Sequence, residues 1–448
     1  MSLTRRQFLH GSAAAATVAG LPRVAASSVL GANETIRVGV VGCGNRGNHH
    51  IDRFGRQDGV RVAAVCDPDR QRLASAAAKV KDKYENDPAQ YVDVREMIEK
   101  AELDAVAVAT MQYWHALPTI WACQAGRDVY VEKPLSHYIV EGQRMVDAAR
   151  KYDRLVQIGT QSRSTRSAID TIRYIQEGQL GKIRYVTAFA NKPRTPIGNR
   201  DTPLPIPDYV DYDLWCGPAD KGPIYRNRLQ YDCSFTWDKG DGESCNQGIH
   251  EIDVARWLLD EPEMPRRTIS VGGRFAFDDA GDVPNTQIIY YDFATAPVLY
   301  EVHNLRAAKG SNEVPTFRGC RTDVCAHCEG GYAFIRSGRV YDHNDKQIKS
   351  FGGGEDIFEN FIRAVRGGRR EDLDADIFEG HRSTTVTHLG NTSYRVGQPA
   401  SQAEIRERIA GVGLFEAMFD RMVEHLKAHE IDVDSPTITL GEWLDVDT

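Results

Sequence analysis

The chain has 448 residues, of which 41% are hydrophobic and 26% charged, and a net charge of -8. That length corresponds to two or three globular domains. The acidic balance, without a basic face, excludes nucleic acid as a partner, and no apolar run is long enough for stable membrane insertion.

Thr4-Arg5-Arg6-Gln7-Phe8-Leu9 opens the chain as a twin-arginine export signal does. A weakly apolar stretch, Gly11 to Leu21, and the small residues Val24-Ala25-Ala26 follow in the right order. Residues 1–34 are therefore expected to be signal and linker, the protein to be periplasmic or otherwise exported, and the twin-arginine machinery to be a partner. That route carries folded proteins, and outside the cytoplasm there is no free dinucleotide pool. A dinucleotide cofactor would have to be tightly bound and regenerated within each catalytic cycle.

Residues 35–160 read as a dinucleotide-binding domain. The β-branched run Val38, Val40, Val41 has the look of a strand buried in a parallel sheet. Gly42, Gly44 and Gly47 follow with G-x-G-x-x-G spacing, enclosing Asn45 and Arg46. The first glycine allows the tight turn, the second lets a pyrophosphate lie against backbone, and the third lets helix and strand pack closely. Val60 to Cys66 is the next strand, and Asp67 stands at its end, 20 residues past Gly47, where a carboxylate would accept hydrogen bonds from a ribose diol. Its charge favours NAD, while Arg46 and Arg70 leave NADP open.

Asp69 to Val80 reads as a helix, Asp104 to Thr110 as a strand, and Trp114 to Gly126 as a helix closed by its glycine. Further strands are expected over Asp128 to Pro134 and Leu155 to Gln161. Strands alternating with helices imply a doubly wound parallel sheet, with ligands beyond the carboxyl ends of the strands. Thr110, His115, Glu132, Lys133 and Gln161 fall at such ends.

The glycine triplet, Asp67, Trp114-His115, Glu132-Lys133-Pro134 and Gly159-Thr160-Gln161, in this order, resemble the Gfo/Idh/MocA oxidoreductase family, the group of glucose–fructose oxidoreductase and inositol dehydrogenase. The resemblance covers nearly all of the chain after the signal. It implies a lysine between nicotinamide and substrate, here Lys133. A lysine at a strand end beside a cofactor hydrogen-bonds a sugar hydroxyl and favours the developing alkoxide.

Residues 161–400 read as a substrate-binding α+β domain with a large, open, mostly antiparallel sheet, and 401–448 as a C-terminal extension. A helix is expected over Ser164 to Glu177 and a strand over Ile183 to Ala190. The Pro-, Asp- and Gly-rich stretch Pro193 to Pro223 reads as a long loop toward the substrate cleft. The glycine-rich segment after Trp237 then feeds a helix carrying His250 and Asp253. They are three residues apart, so the aspartate could orient an imidazole that exchanges a proton with a substrate hydroxyl. The resemblance implies an acid/base histidine at this position, frequently with an aspartate four residues earlier. Here that position is Asn246, a hydrogen-bond partner for sugar hydroxyls.

Strands are expected over Thr268 to Phe277, Thr286 to Phe293, Val298 to Leu305 and Tyr332 to Tyr341, the last with a turn at Ser337-Gly338. Cys325-Ala-His-Cys328 opens a strand and has no second C-x-x-C, so buried thiols or one incidental disulfide are expected, and no metal site. Cys43 reads as a packing residue. Asp356 to Arg366 and Ile377 to Val396 read as helices, the second with structural His381 and His388 on one face. The resemblance further implies a helix packing back onto the cofactor domain and a homo-oligomer through the C-terminal sheet.

The reading is a sugar or polyol oxidoreductase with bound NAD, or NADP. The alternatives are redox-neutral glycoside hydrolysis on bound NAD and a non-catalytic sugar sensor.

Overall fold

The computed structural model describes residues 35–354 and 356–447, so the expected export signal lies outside the described residues. In chain order the cofactor domain runs β1 (Ile36–Val41), α1 (Asn45–Gly55), β2 (Val60–Cys66), α2 (Arg70–Tyr84), β3 (Ala89–Tyr91) and α3 (Val94–Lys100). It continues with β4 (Ala105–Val108), α4 (Ala116–Gln124), β5 (Asp128–Val131), α5 (Ile139–Lys151) and β6 (Val156–Ile158). The strands form one sheet in the order β3-β2-β1-β4-β5-β6, all pairs parallel. This is the expected doubly wound sheet, and its strand order reverses between β1 and β4, where such sheets bind their ligands. Val38, Val40, Val106 and Val129 are fully buried because helices cover both faces. The pair β3–α3 escaped the sequence reading: β3 is three residues long and two of them are exposed.

The second domain contains α6 (Arg166–Gln176), β7 (Ile183–Asn191), α7 (Tyr212–Cys216), α8 (Gly242–Asn246), α9 (Gly248–Leu259), β8 (Arg267–Gly273), β9 (Thr286–Tyr291) and β10 (Val298–His303). Then come β11 (Thr322–Cys328), β12 (Gly331–Phe334), β13 (Arg339–Tyr341), β14 (Gln347–Ser350), α10 (Ile357–Gly367) and α11 (Ile377–Val396). The chain closes with β15 (Gln398–Ala400), α12 (Gln402–Ile409), α13 (Gly413–Lys427), β16 (Ile438–Leu440) and β17 (Leu444–Asp445). Eleven strands make one sheet whose pairings are antiparallel except β7 with β10.

One face of this sheet is packed by α6, α9 and α11 through Ile172, Ile252, Leu258 and Val386. On the other, Ile405 from α12 and Phe415, Phe419 and Met422 from α13 cover Ile269, Val271, Tyr290 and Leu299 of β8, β9 and β10. The C-terminal residues thus belong to this sheet, since β16 and β17 pair with β8. Two helices return to the cofactor domain: α10, where Phe358 stacks on Tyr130 at 4.6 Å between ring centroids, and α11, whose Ile377 joins the same core and whose Thr384 hydroxyl accepts the Leu135 N–H.

Cys325 and Cys328 lie inside β11 rather than opening a strand, and side chains three apart on a strand leave opposite faces. Cys325 joins the cluster around Phe189, Cys328 the one beneath α6, and all nine cysteines are buried free thiols.

Candidate active site

The turn after β1 is built on steric need. Gly42 has φ +84, and a Cβ there would stand 2.9 Å from the Ala109 backbone. A Cβ on Gly47 would lie 1.7 Å from the Gly42 carbonyl oxygen, so only glycine lets α1 start against the turn. Gly44 is the N-cap of α1 and supplies no side-chain cap, which leaves amides at the helix N-terminus for an anion. Asp67, buried at the end of β2, accepts the Cys43 N–H at 2.6 Å and the Asp69 N–H at 2.8 Å. Burial pushes its carboxyl up from the usual range, against these two hydrogen bonds. It therefore braces the turn and still lines the cavity in front of it.

That cavity has a volume of about 470 Å³ and runs from the glycine turn to the start of α9. Gly42, Gly44, Asn45, Arg46, Asp67 and Thr110 line its cofactor end. His115, Glu132, Lys133, Gln161, Asn246 and His250 line the remainder. Gly47 lies behind the turn, in keeping with its packing role.

Several of these side chains act on other protein groups. Glu132 accepts from Arg46 Nε at 2.6 Å and from His50 Nε2 at 2.9 Å. Burial opposes its charge, but His50 and Arg46 hold the carboxyl well below the usual carboxylate range. The His115 ring lies between the Pro134 and Thr110 carbonyl oxygens, at 2.7 and 3.1 Å, and so pins the loop after Lys133 to the end of β4.

Lys133 Nζ donates to the Asn246 carbonyl oxygen at 2.6 Å, with Asn246 Oδ1 at 3.4 Å. Burial lowers the ammonium pKa against the pull of Glu132, and the nearby Arg46 and Lys192 charges lower it further. His250 is held well below the usual histidine range, first by burial and then by the Lys133 and Arg336 charges. It is a neutral imidazole at neutral pH, able to accept a proton.

Asp253 is a correction. It does not serve His250: its buried carboxylate takes Arg163 Nε at 2.9 Å, Arg163 Nη2 at 2.8 Å and the Ser383 hydroxyl at 2.7 Å. Helical spacing places His250 and Asp253 on neighbouring positions, but the guanidinium is the stronger partner for a buried carboxylate.

Further cavity residues are supplied from afar, with no local sequence pattern to mark them. Arg72, on α2, reaches over the turn, where a Cβ on Gly44 would meet its Nη1 at 2.8 Å. Of the two residues that leave NADP open, Arg46 lines the cavity, while Arg70 is exposed and does not, because it lies two positions from Arg72 on the helix and faces away from it. Lys192 at the end of β7 enters the cavity and donates to Gln247 Oε1 at 3.0 Å. Trp215 on α7, from within the long loop, lines it too, as that loop was expected to do.

A glycine turn at the switch point of a parallel sheet, facing a lysine and a histidine contributed by two domains, is the arrangement of a two-domain dinucleotide-binding protein. Residues 36–160 match the oxidoreductase family's NAD-binding Rossmann fold, and residues 182–421 match its C-terminal alpha/beta domain. The chain belongs to the Gfo/Idh/MocA family, and its cofactor domain is an NAD-binding one.

Among curated relatives, a glycosyl hydrolase family 109 protein of Shewanella pealeana is 28% identical over 204 residues, covering 41% of this chain and 45% of that protein. Inositol 2-dehydrogenase 2 of Saccharopolyspora erythraea is 30% identical over 228 residues, covering 50% of this chain and 54% of that protein. The chain thus spans about half the length of each of these relatives. The crystal structure of the WlbA dehydrogenase from Bordetella pertussis, in complex with NADH and UDP-GlcNAcA, superposes with a TM-score of 0.60 at 20% identity, covering 80% of this chain and 95% of that one.

Proposed function

We propose that this protein transfers a hydride between a ring carbinol carbon of a sugar or polyol derivative and C4 of a bound nicotinamide. The observation that carries the proposal is the meeting of Lys133, Asn246 and His250 in the same cavity as the glycine turn. The residues fit the cofactor: the turn has room where any Cβ would intrude, and the N-terminus of α1 is free of a side-chain cap.

When bound, NAD supplies the hydride acceptor or donor. The chain supplies the rest. Gly44 and the first amides of α1 receive the pyrophosphate, and Asp67 faces the ribose. Lys133 donates a hydrogen bond to the reacting hydroxyl oxygen and stabilises its developing negative charge. The neutral His250 takes the hydroxyl proton in oxidation and returns it in reduction. Asn246 holds Lys133 in place through its carbonyl.

The glycosyl hydrolase family 109 relatives favour a second reading. In it the same residues serve transient oxidation, elimination of an aglycone, addition of water and reduction back, with no net redox change. Purified protein incubated with free sugars and with aryl glycosides, without added cofactor, separates the two. A change in nicotinamide absorbance supports the dehydrogenase, and released aglycone supports the hydrolase. Neither signal, with tight sugar binding, marks a sensor.

Export and a tightly held cofactor belong to the same proposal. They are supported by the order of Arg5-Arg6, Phe8-Leu9 and the alanine-rich run. A homo-oligomer through the second sheet would use the half formed by β11 to β14, because α12 and α13 already cover β8 to β10.

A further inference from the structure

Behind the Lys133 loop lies a second cluster that the proposed reaction does not use. Asp241, Cys245 and His388 are all buried, and one carboxylate oxygen, the sulfur and one ring nitrogen lie within 4.8 Å of one another. They come from the turn before α8, from α8 itself and from α11.

The hydrogen bonds around the cluster fix which atoms are free. His388 Nε2 is 3.0 Å from the Ser136 carbonyl oxygen, and a carbonyl only accepts, so that nitrogen carries the hydrogen. Nδ1 keeps its lone pair and lies 4.0 Å from Cys245 Sγ. A zinc ion held by both atoms would set them at about 3.6 Å. Asn391 Nδ2 donates to the Asp241 carbonyl oxygen at 2.8 Å and approaches Cys245 Sγ at 3.5 Å, while the Ser244 hydroxyl orients that amide at 2.7 Å. A histidine tied through its far nitrogen to a backbone carbonyl, beside a thiol approached by an amide N–H, is the outer arrangement of a metal site.

A second observation points to a ligand. Asp241 Oδ2 is buried and has no hydrogen-bond partner among the described residues. His137, 4% exposed, pairs through Nδ1 with Asp241 Oδ1 at 2.9 Å, and its Nε2 has no hydrogen-bond partner among the described residues. An unmet buried carboxylate oxygen is costly, and a cation would satisfy it.

We infer that Asp241, Cys245 and His388 bind a zinc-type divalent transition-metal ion, with His137 supporting the carboxylate. Thiolate, imidazole and carboxylate together select zinc over magnesium or calcium. Binding breaks the Cys245 S–H bond, forms a sulfur–metal bond and releases the proton to solvent. The ion would brace the site without touching substrate. Cys245 precedes Asn246, which holds Lys133, and Ser136 lies three residues beyond Lys133.

The test uses the full chain, loaded with zinc, dialysed and analysed for metal content. The wild type should retain about one zinc per chain, and Cys245→Ser or His388→Gln should retain about a tenth of that or less. Cobalt loading of the wild type should give a thiolate-to-metal absorption band that Cys245→Ser lacks. The cobalt spectrum of the wild type decides the matter even where a variant fails to fold. Wild-type protein that dialyses free of zinc, or takes up cobalt without a thiolate band, overturns the inference.

Discussion

The Lys133 ammonium and the Asn246 backbone carbonyl meet at 2.6 Å, and that contact joins the two domains at the reacting end of the cavity. Lys133 comes from the end of β5 and Asn246 from the last residue of α8, so each domain contributes one half of the contact. Removal of the ammonium tests whether it does chemistry or only docking. Lys133→Ala should lower turnover by about 10²–10⁴-fold while the fold and the bound cofactor remain. Steady-state rates, with cofactor content measured on the same samples, check this. Near-normal turnover would remove Lys133 from the mechanism.

The glycine turn predicts a different failure. Gly47→Ala would place a methyl group 1.7 Å from the Gly42 carbonyl oxygen, a clash relieved only by moving the turn. A destabilisation of about 3 kcal/mol and loss of the dinucleotide are expected. Gly413→Ala is the control, because a Cβ there meets nothing within 4 Å. Denaturant melts and dinucleotide titration of the two variants should diverge. Equal behaviour would contradict the role given to Gly47.

His250 sets the pH dependence. Burial, with the Lys133 and Arg336 charges, disfavours its protonated form, so the imidazole stays neutral at pH values where an ordinary histidine becomes charged. The neutral base is present above its lowered pKa and is lost only as pH falls through that value. In the oxidative direction kcat/KM should therefore hold through pH 6.5, the ordinary histidine value, and decline only on further acidification. His250→Gln should abolish that acid limb along with most of the rate. A wild-type limb centred at or above the ordinary value would contradict this assignment.

Asp253 is expected to matter for stability rather than for turnover. Asp253→Ala leaves the buried Arg163 with only its longer ion pair to Glu379 at 3.7 Å, and breaking the shorter buried pair costs about 3 kcal/mol. Chemical denaturation should show that loss, with kcat per folded molecule little changed. A large fall in kcat at unchanged stability would return Asp253 to the catalytic group.

The sequence carries the cofactor half of this site because its signals are local. A β-branched run buried on both faces, three glycines at fixed spacing and an acidic residue at the next strand end lie within a span of 30 residues, Val38 to Asp67. His250 was legible for a similar reason, as a glycine-rich loop feeding an apolar helix face. Asp253 was misread because helical spacing shows which side chains are neighbours and not which distant charge competes for them. Arg163 reaches it from 90 positions away in the chain. Arg72 and Lys192 reach the cavity only through tertiary packing, and the same packing brings His388 to Asp241 and Cys245, which are four residues apart. The short β3 carries too few apolar residues for a period to emerge, whereas α3 does show one, Val94, Met97 and Ile98 at i, i+3 and i+4, but over only seven residues.

The most direct test of the account is the identity of the small molecules released when freshly purified, full-length protein is denatured. Mass spectrometry should find NAD or NADH at about one per chain, as the proposed tight binding requires. A protein that releases no pyridine nucleotide, and that takes up none when NAD is added, would contradict the account.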